Sequence, residues 1–74
     1  MLIWRNIREG EDFLRVTDDG RFVIRRNAVK KNDLYHYSYD VQDLHEPGRH
    51  EVLTTLQAAR RQAMTWAASR RSRL

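Results

Sequence analysis

The side chains best suited to chemistry in this sequence are cations that recur through its first half. They are Arg15, Arg21, Arg25, Arg26, Lys30 and Lys31. Arginines at two-residue spacing on a strand project to one side, where they can reach successive phosphates or base edges when a sheet lies in a DNA groove. The alternative is a solvated outer face of a small sheet, partly neutralised by nearby aspartates.

A second group of cations lies near the end of the chain. Up to Thr54 the sequence has nine Lys and Arg against ten Asp and Glu, a net of −1, whereas the last 20 residues carry five arginines and no acid. Cations near a helix C-terminus complement its dipole, and they also attract phosphate. We predict that Arg60 and Arg61 add to a nucleic-acid-binding surface.

The sequence gives little support for metal binding or for catalysis. In "HEPGRHE" (residues 45–51) the spacing of His45, Glu46, His50 and Glu51 matches no metal-ligand pattern, so we predict no metal site. The chain has no cysteine, no glycine-rich phosphate loop and no serine placed for a catalytic triad. We therefore predict a non-enzyme without cofactor or small-molecule substrate.

Three tyrosines, Tyr35, Tyr37 and Tyr39, occupy alternate positions in "LYHYSYDV". On a strand they share one face, either as a wall of the core or as a stacking platform. We favour the core, because the apolar stripe of the C-terminal helix is mostly alanine and the sheet must supply bulk. The opposite face then displays His36 and Ser38 beside the arginines.

These side chains are positioned by a predicted hairpin, "DFLRVTDDGRFVIRR", with Asp18-Asp19-Gly20 as a three-residue turn. In this register Val16 faces Phe22. The predicted inner face comprises Leu14, Val16, Phe22 and Ile24, and the outer face comprises Arg15, Thr17, Arg21, Val23 and Arg25.

The remaining elements follow from breakers and periodicity. Residues 27–33 are predicted to be a polar, basic connection, residues 34–41 a third strand, and residues 42–52 a loop. A helix follows, with Thr54 or Thr55 as N-cap and an apolar stripe formed by Leu56, Ala59, Ala63, Trp66 and Ala67. Residues 2–4 form either an edge strand or an extended segment on the core. The predicted fold is α+β, with an antiparallel three-stranded sheet packed on one C-terminal helix. Whether an extra N-terminal edge strand joins this sheet is not decided by the sequence.

At 74 residues the chain is predicted to be a single domain over residues 1–69, with a basic, frayed tail at residues 70–74. No apolar run approaches the ~20 residues that a membrane span requires, and the N-terminus is too short and polar for a signal peptide. We predict a cytoplasmic protein without a membrane partner.

The order of elements, with "GRFVIRR" in the hairpin and "TLQAARRQA" opening the helix, resembles two groups of proteins. One is the small single-domain proteins common in actinobacterial phages. The other is the arm-binding domain of phage tyrosine recombinases, in which a three-stranded sheet lies in the major groove. That resemblance covers roughly residues 12–68 and implies groove contacts by Arg15, Arg21 and Arg25 and backbone contacts by Lys30 and Lys31.

Two functions stay open. The first is a small module that binds double-stranded DNA through the basic sheet face and the basic C-terminus. The second is a phage-type interaction module that captures and modulates a host protein, with Trp4, Phe13 and Val23 as anchors. A third option is oligomerisation through an exposed edge strand.

Overall fold

The structure, a computed structural model, describes residues 2–9 and 13–71, with residues 69–71 described as backbone alone. One antiparallel sheet has the strand order β1-β2-β3-β4-β5, and a single helix follows it. The elements are β1 (Trp4–Arg8), β2 (Leu14–Thr17), β3 (Phe22–Lys31), β4 (Leu34–Asp43), β5 (His50–Leu53) and α1 (Leu56–Arg71). The α+β class and the C-terminal helix are confirmed.

The prediction of three strands is too low, because β1 and β5 flank the central three. The N-terminus does form an edge strand, but at Trp4–Arg8 rather than at residues 2–4, and β5 begins within the predicted loop 42–52. The predicted connection 27–33 is instead the end of β3 and a two-residue turn. Asn32 (φ 53°) and Asp33 (φ 64°) both adopt the left-handed conformation that closes such a hairpin tightly.

The register between β2 and β3 also differs from prediction, since Val16 lies opposite Val23 rather than Phe22. Gly20 is left-handed as predicted (φ 74°), but Arg21 joins the turn and lengthens it by one residue. The Thr17 hydroxyl fixes this arrangement by accepting the Phe22 N–H at 2.9 Å. A one-residue shift moves every side chain of a strand to the other face.

The core lies between the sheet and the helix. Its buried members are Phe13, Phe22, Ile24, Val41, Ala59 and Ala63. The predicted helix stripe is confirmed, because Ala59 and Ala63 are fully buried and Leu56, Trp66 and Ala67 pack beside them. The helix crosses β4 and β5 on one side of the sheet, here called the helix face. The other side is called the open face.

The central hairpin extends well beyond the rest of the sheet. β2 pairs with residues 23–25 of β3, and β5 pairs with residues 39–42 of β4. Among the described residues, 27–31 and 34–38 pair with each other and with no further strand. The radius of gyration is 13.1 Å, against about 11 Å for a compact chain of this length. Residues 27–38 therefore form a projecting two-stranded segment, here called the ribbon.

Candidate nucleic-acid interface

Alternation along the two strands gives the ribbon two chemically different faces. The tyrosine face continues the helix face and comprises Ala28, Lys30, Tyr35 and Tyr37. The polar face continues the open face and comprises Asn27, Val29, Lys31, Leu34, His36 and Ser38. Apart from the half-buried Ser38, all of these residues are exposed.

The polar face carries side chains that can bond to base edges. Asn27 lies opposite Ser38, and His36 lies opposite the small Val29. Arg25 extends the same face toward the sheet, where it lies opposite Asp40. Amide, hydroxyl, imidazole and guanidinium groups are thus aligned along one side of a narrow, solvated ribbon.

The cations around the ribbon are available for a ligand. Arg25, Lys30 and Lys31 are exposed, and none of them forms an ion pair within the part of the chain that the structure describes. Lys30 and Lys31 adjoin the turn at the tip and point to opposite faces. Arg60 and Arg61 are exposed on α1, on the other side of the sheet from Arg25.

Arg21 does not belong to this surface, contrary to prediction. Its guanidinium is buried and binds Asp43 with both arms, Nε to Oδ1 at 3.2 Å and Nη2 to Oδ2 at 3.0 Å. It also lies over the Phe22 ring, 4.5 Å from the centroid. Because the longer turn carries Arg21 out of the strand, this residue closes the end of the sheet and is unavailable to a ligand.

Asp43 is the centre of that closed end. Its side chain is fully buried, accepts the His45 N–H at 3.0 Å and lies 3.7 Å from Nη1 of Arg49. Burial alone would raise the pKa of Asp43, but the hydrogen bonds from Arg21 and His45 and the charges of both arginines outweigh it and lower the pKa. The same Arg49 nitrogen donates to the Trp66 carbonyl at 3.1 Å, so the network ties the loop to the helix.

Arg15 is also misplaced by the prediction, because the register shift moves it to the helix face, opposite Ile24. Its side chain is mostly buried, pairs with Glu9 at 3.3 Å and lies 4.6 Å from the Phe13 centroid. Phe13, predicted to be exposed, is buried beneath it. Arg15 and Phe13 therefore stabilise the body of the protein and do not form a binding surface.

Arg26 lies on the helix face at the base of the ribbon, opposite Tyr39. Its guanidinium contacts the rings of Phe13 and Tyr37, at 5.0 and 4.8 Å from their centroids. Such cation–π contacts contribute about 0.5–2 kcal/mol each and hold both partners in place. Arg26 thus joins the core to the first ring of the ribbon.

The three tyrosines do not share one role, although both a wall of the core and a stacking platform were considered for all of them. All three lie on the helix face, as predicted, but only Tyr39 packs against the core, where its ring meets Phe13 edge-on at 5.9 Å. Tyr37 is 47% exposed and Tyr35 is 61% exposed, because the ribbon carries them past the helix. The prediction that they mainly form core is wrong for these two.

Asn27 was not predicted as a binding residue, and the two predicted lysines were placed in the wrong kind of element. Asn27 was assigned to a connection, and Lys30 and Lys31 were assigned to a loop rather than to a rigid strand. The signal that identifies the ribbon is the pair Asn32-Asp33, because these residue types tolerate the left-handed conformation of a two-residue turn. Without that turn, the alternation from Phe22 to Lys31 is easily missed.

The prediction that no metal site is present was made for residues 45–51, which follow β4. In the described ranges, no group of three or more His, Cys, Asp or Glu side chains is arranged to hold a metal ion. His50 instead pairs with Asp40 on the open face. Within the same residues, no helix is long and apolar enough to cross a membrane.

Comparisons with family models, with curated proteins and with solved structures find no match to this chain. The resemblance to phage proteins and to recombinase arm-binding domains therefore stays a prediction. The predicted tail falls partly on residues 72–74, which lie outside the described residues, while α1 continues through Arg71.

Proposed function

We propose that the protein is a small double-stranded-DNA-binding module that places the polar face of its ribbon in the major groove. The observation that carries this proposal is a projecting two-stranded ribbon whose cations, at the tip and on the adjoining strand, form no ion pair with any described residue. The major groove is about 12 Å wide and admits such a ribbon, whose strands are about 4.8 Å apart.

The proposed contacts follow the usual division between position and sequence. Lys30 and Lys31 at the tip and Arg25 at the base reach phosphates, which supply most of the affinity. Asn27 and His36 face the base edges, where an amide pairs well with adenine. With so few groups at the bases, we expect modest sequence preference.

The test is fluorescence anisotropy of a labelled random duplex at ~50 and ~200 mM salt. Three phosphate contacts predict a logarithmic salt slope of about −2.7 and an affinity loss of about 40-fold over that range. Absence of binding, or an affinity that does not change with salt, would exclude the proposal.

Variants that remove positive charge test whether the duplex contact lies on the ribbon. Lys30→Gln combined with Lys31→Gln should reduce the slope by about 2 units, because two phosphate contacts are lost. Arg60→Gln combined with Arg61→Gln removes the same charge from the other side of the sheet and should leave the slope unchanged. If only the helix pair changed the slope, α1 and not the ribbon would bind the duplex.

A second candidate is an interaction module for a protein partner, favoured by exposed aliphatic side chains on the polar face. Val29 is 59% exposed and Leu34 is 65% exposed, which is more apolar surface than phosphate contact requires. Two of the three anchors predicted for this function do not serve, because Phe13 is buried and Trp4 packs on the core. The third, Val23, is half-buried on the open face. This candidate predicts a stoichiometric complex that survives ~200 mM salt and is lost on Leu34→Ser but not on Lys30→Gln.

A further inference from the structure

The tyrosine face of the ribbon has a geometry that the proposed duplex contact does not use. Tyr35 and Tyr37 point away from the polar face, and both rings are largely exposed beyond the end of the helix packing. Tyrosine has a large flat ring with a polar hydroxyl, so two adjacent exposed rings offer faces on which another planar group can stack.

The spacing of the two rings fits one aromatic plane. Residues two apart on a strand are separated by about 6.7 Å. Stacked bases are about 3.4 Å apart, so a single base placed between two parallel rings requires about twice that distance. Ala28 lies opposite Tyr37 and has no side chain beyond Cβ, which leaves the space beside the rings open.

Neighbouring cations make this slot suitable for a nucleotide. Arg26 lies over the Tyr37 ring and is paired with Tyr39, which is nearer the core. We therefore expect it to occupy the core side of that ring and to leave the side toward Tyr35 to a ligand. Lys30 lies directly opposite Tyr35 and has no ion pair among the described residues. A phosphate attached to a stacked base would meet its ammonium group.

We propose that the tyrosine face binds an unpaired nucleobase of single-stranded nucleic acid, stacked between Tyr35 and Tyr37 with its phosphate held by Lys30. This site lies on the opposite face of the ribbon from the proposed duplex contact. It takes a different ligand and shares only Lys30 with that contact, so neither proposal requires the other. Stacking between aromatic rings tolerates any base, so we expect little sequence preference.

The experiment compares two labelled ten-residue probes by anisotropy: oligothymidylate and an abasic deoxyribose-phosphate strand of the same charge. The wild-type protein should bind the thymidylate more tightly. Tyr35→Leu and Tyr37→Leu should each weaken thymidylate binding by about 5- to 150-fold and leave abasic binding unchanged. Val52→Ala removes exposed apolar surface on β5, outside the ribbon and outside both proposed contacts. It is the control and should change the affinity for neither probe.

Equal affinity for the two probes, or thymidylate binding that is indifferent to both tyrosine variants, would overturn the inference. The duplex titration is run on the same variants to separate the two sites. If duplex binding is absent while base-dependent thymidylate binding persists, the stacking site stands and the duplex proposal falls. If the duplex binds normally and the two probes bind with equal affinity, the duplex proposal stands and the stacking site falls.

Discussion

Asp43 and Arg25 illustrate how differently one charged residue can act in this protein. Asp43 is fully buried at the end of β4 and is held by Arg21, the His45 N–H and Arg49. Arg25 is exposed on the open face, four residues after Arg21. The two arginines are close in sequence, but Arg21 stabilises the fold, whereas Arg25 stays exposed and belongs to the proposed duplex contact.

Replacing each arginine by methionine should separate these roles. Arg21→Met leaves the buried Asp43 carboxylate with only the His45 N–H and the more distant Arg49, and it should lower the free energy of unfolding by about 3–5 kcal/mol. That is a large share of the roughly 4–11 kcal/mol expected for a domain of this size. Arg25→Met should change stability by less than about 0.5 kcal/mol and weaken duplex binding instead. Urea titration followed by Trp fluorescence measures the first effect, and a similar loss in both variants would contradict it.

The lowered pKa of Asp43 predicts how stability responds to acid. In the unfolded chain this carboxyl has its ordinary pKa of 3.8, and in the folded protein the value is lower. The unfolded state therefore takes up the proton first as the pH falls. The contribution of Asp43 is fully present above the ordinary value and is lost as the pH falls through the folded pKa.

We expect the urea midpoint of the wild-type protein to fall below pH ~4 and that of Asp43→Asn to change less over the same range. A ¹³C NMR titration of the wild-type Asp43 carboxyl carbon gives an independent measure. A titration midpoint at or above the ordinary value would show that burial dominates and that the ion pair does not.

Among the elements, α1 has a start that is fixed by local chemistry. The sequence offered Thr54 and Thr55 as N-caps, and the structure selects Thr55, whose hydroxyl accepts the Ala58 N–H at 3.1 Å. Its backbone carbonyl also accepts the Ala59 N–H at 3.1 Å. The first turn contains no acidic residue to complement the dipole, so the cap is the main stabilising feature of this end.

Thr55→Ala should therefore lower the free energy of unfolding by about 1 kcal/mol, because the Ala58 N–H loses its acceptor. Thr54→Ala is the matched control, since no described hydrogen bond involves the Thr54 hydroxyl, and it should have almost no effect. Thermal or urea unfolding of the two variants measures the difference. Equal losses would mean that the cap is shared or that the helix begins one residue earlier.

On the scale of the whole molecule, the protein consists of a small packed body and a ribbon that projects from it. The longest dimension is 49 Å and the other two are 21 and 19 Å. The buried core residues lie in the body, from Phe13 to Ala63, and none of them belongs to the ribbon. Folding and binding should therefore be separable by editing the chain.

Removing residues 28–37 and joining Asn27 to Ser38 through Asn-Gly keeps the Asn27–Ser38 pair and closes it with a favourable two-residue turn. This variant should fold with a free energy of unfolding within about 1 kcal/mol of wild type, because it loses the Arg26–Tyr37 contact but no buried side chain. It should bind neither duplex nor oligothymidylate. Circular dichroism and the anisotropy assays test both parts, and duplex binding retained by a folded variant would assign the interface to the body.

The sequence by itself determined the features that depend on neighbours along the chain. The helix and its stripe, through Ala59 and Ala63, follow from 3.6-residue periodicity, and the left-handed Gly20 follows from turn chemistry. The exposure of Arg25 and His36 on one face also agrees with the predicted alternation along their strands.

The tertiary structure decided the features that depend on distant partners. Arg21 enters the turn because its guanidinium binds Asp43, 22 residues away, and this shifts β2 by one residue and turns Arg15 toward the core. The exposure of Tyr35 depends on where β2 and β5 stop flanking the central hairpin and where the helix stops covering it. Local spacing shows which residues of a strand share a face, but only packing determines which way that face points and whether anything covers it.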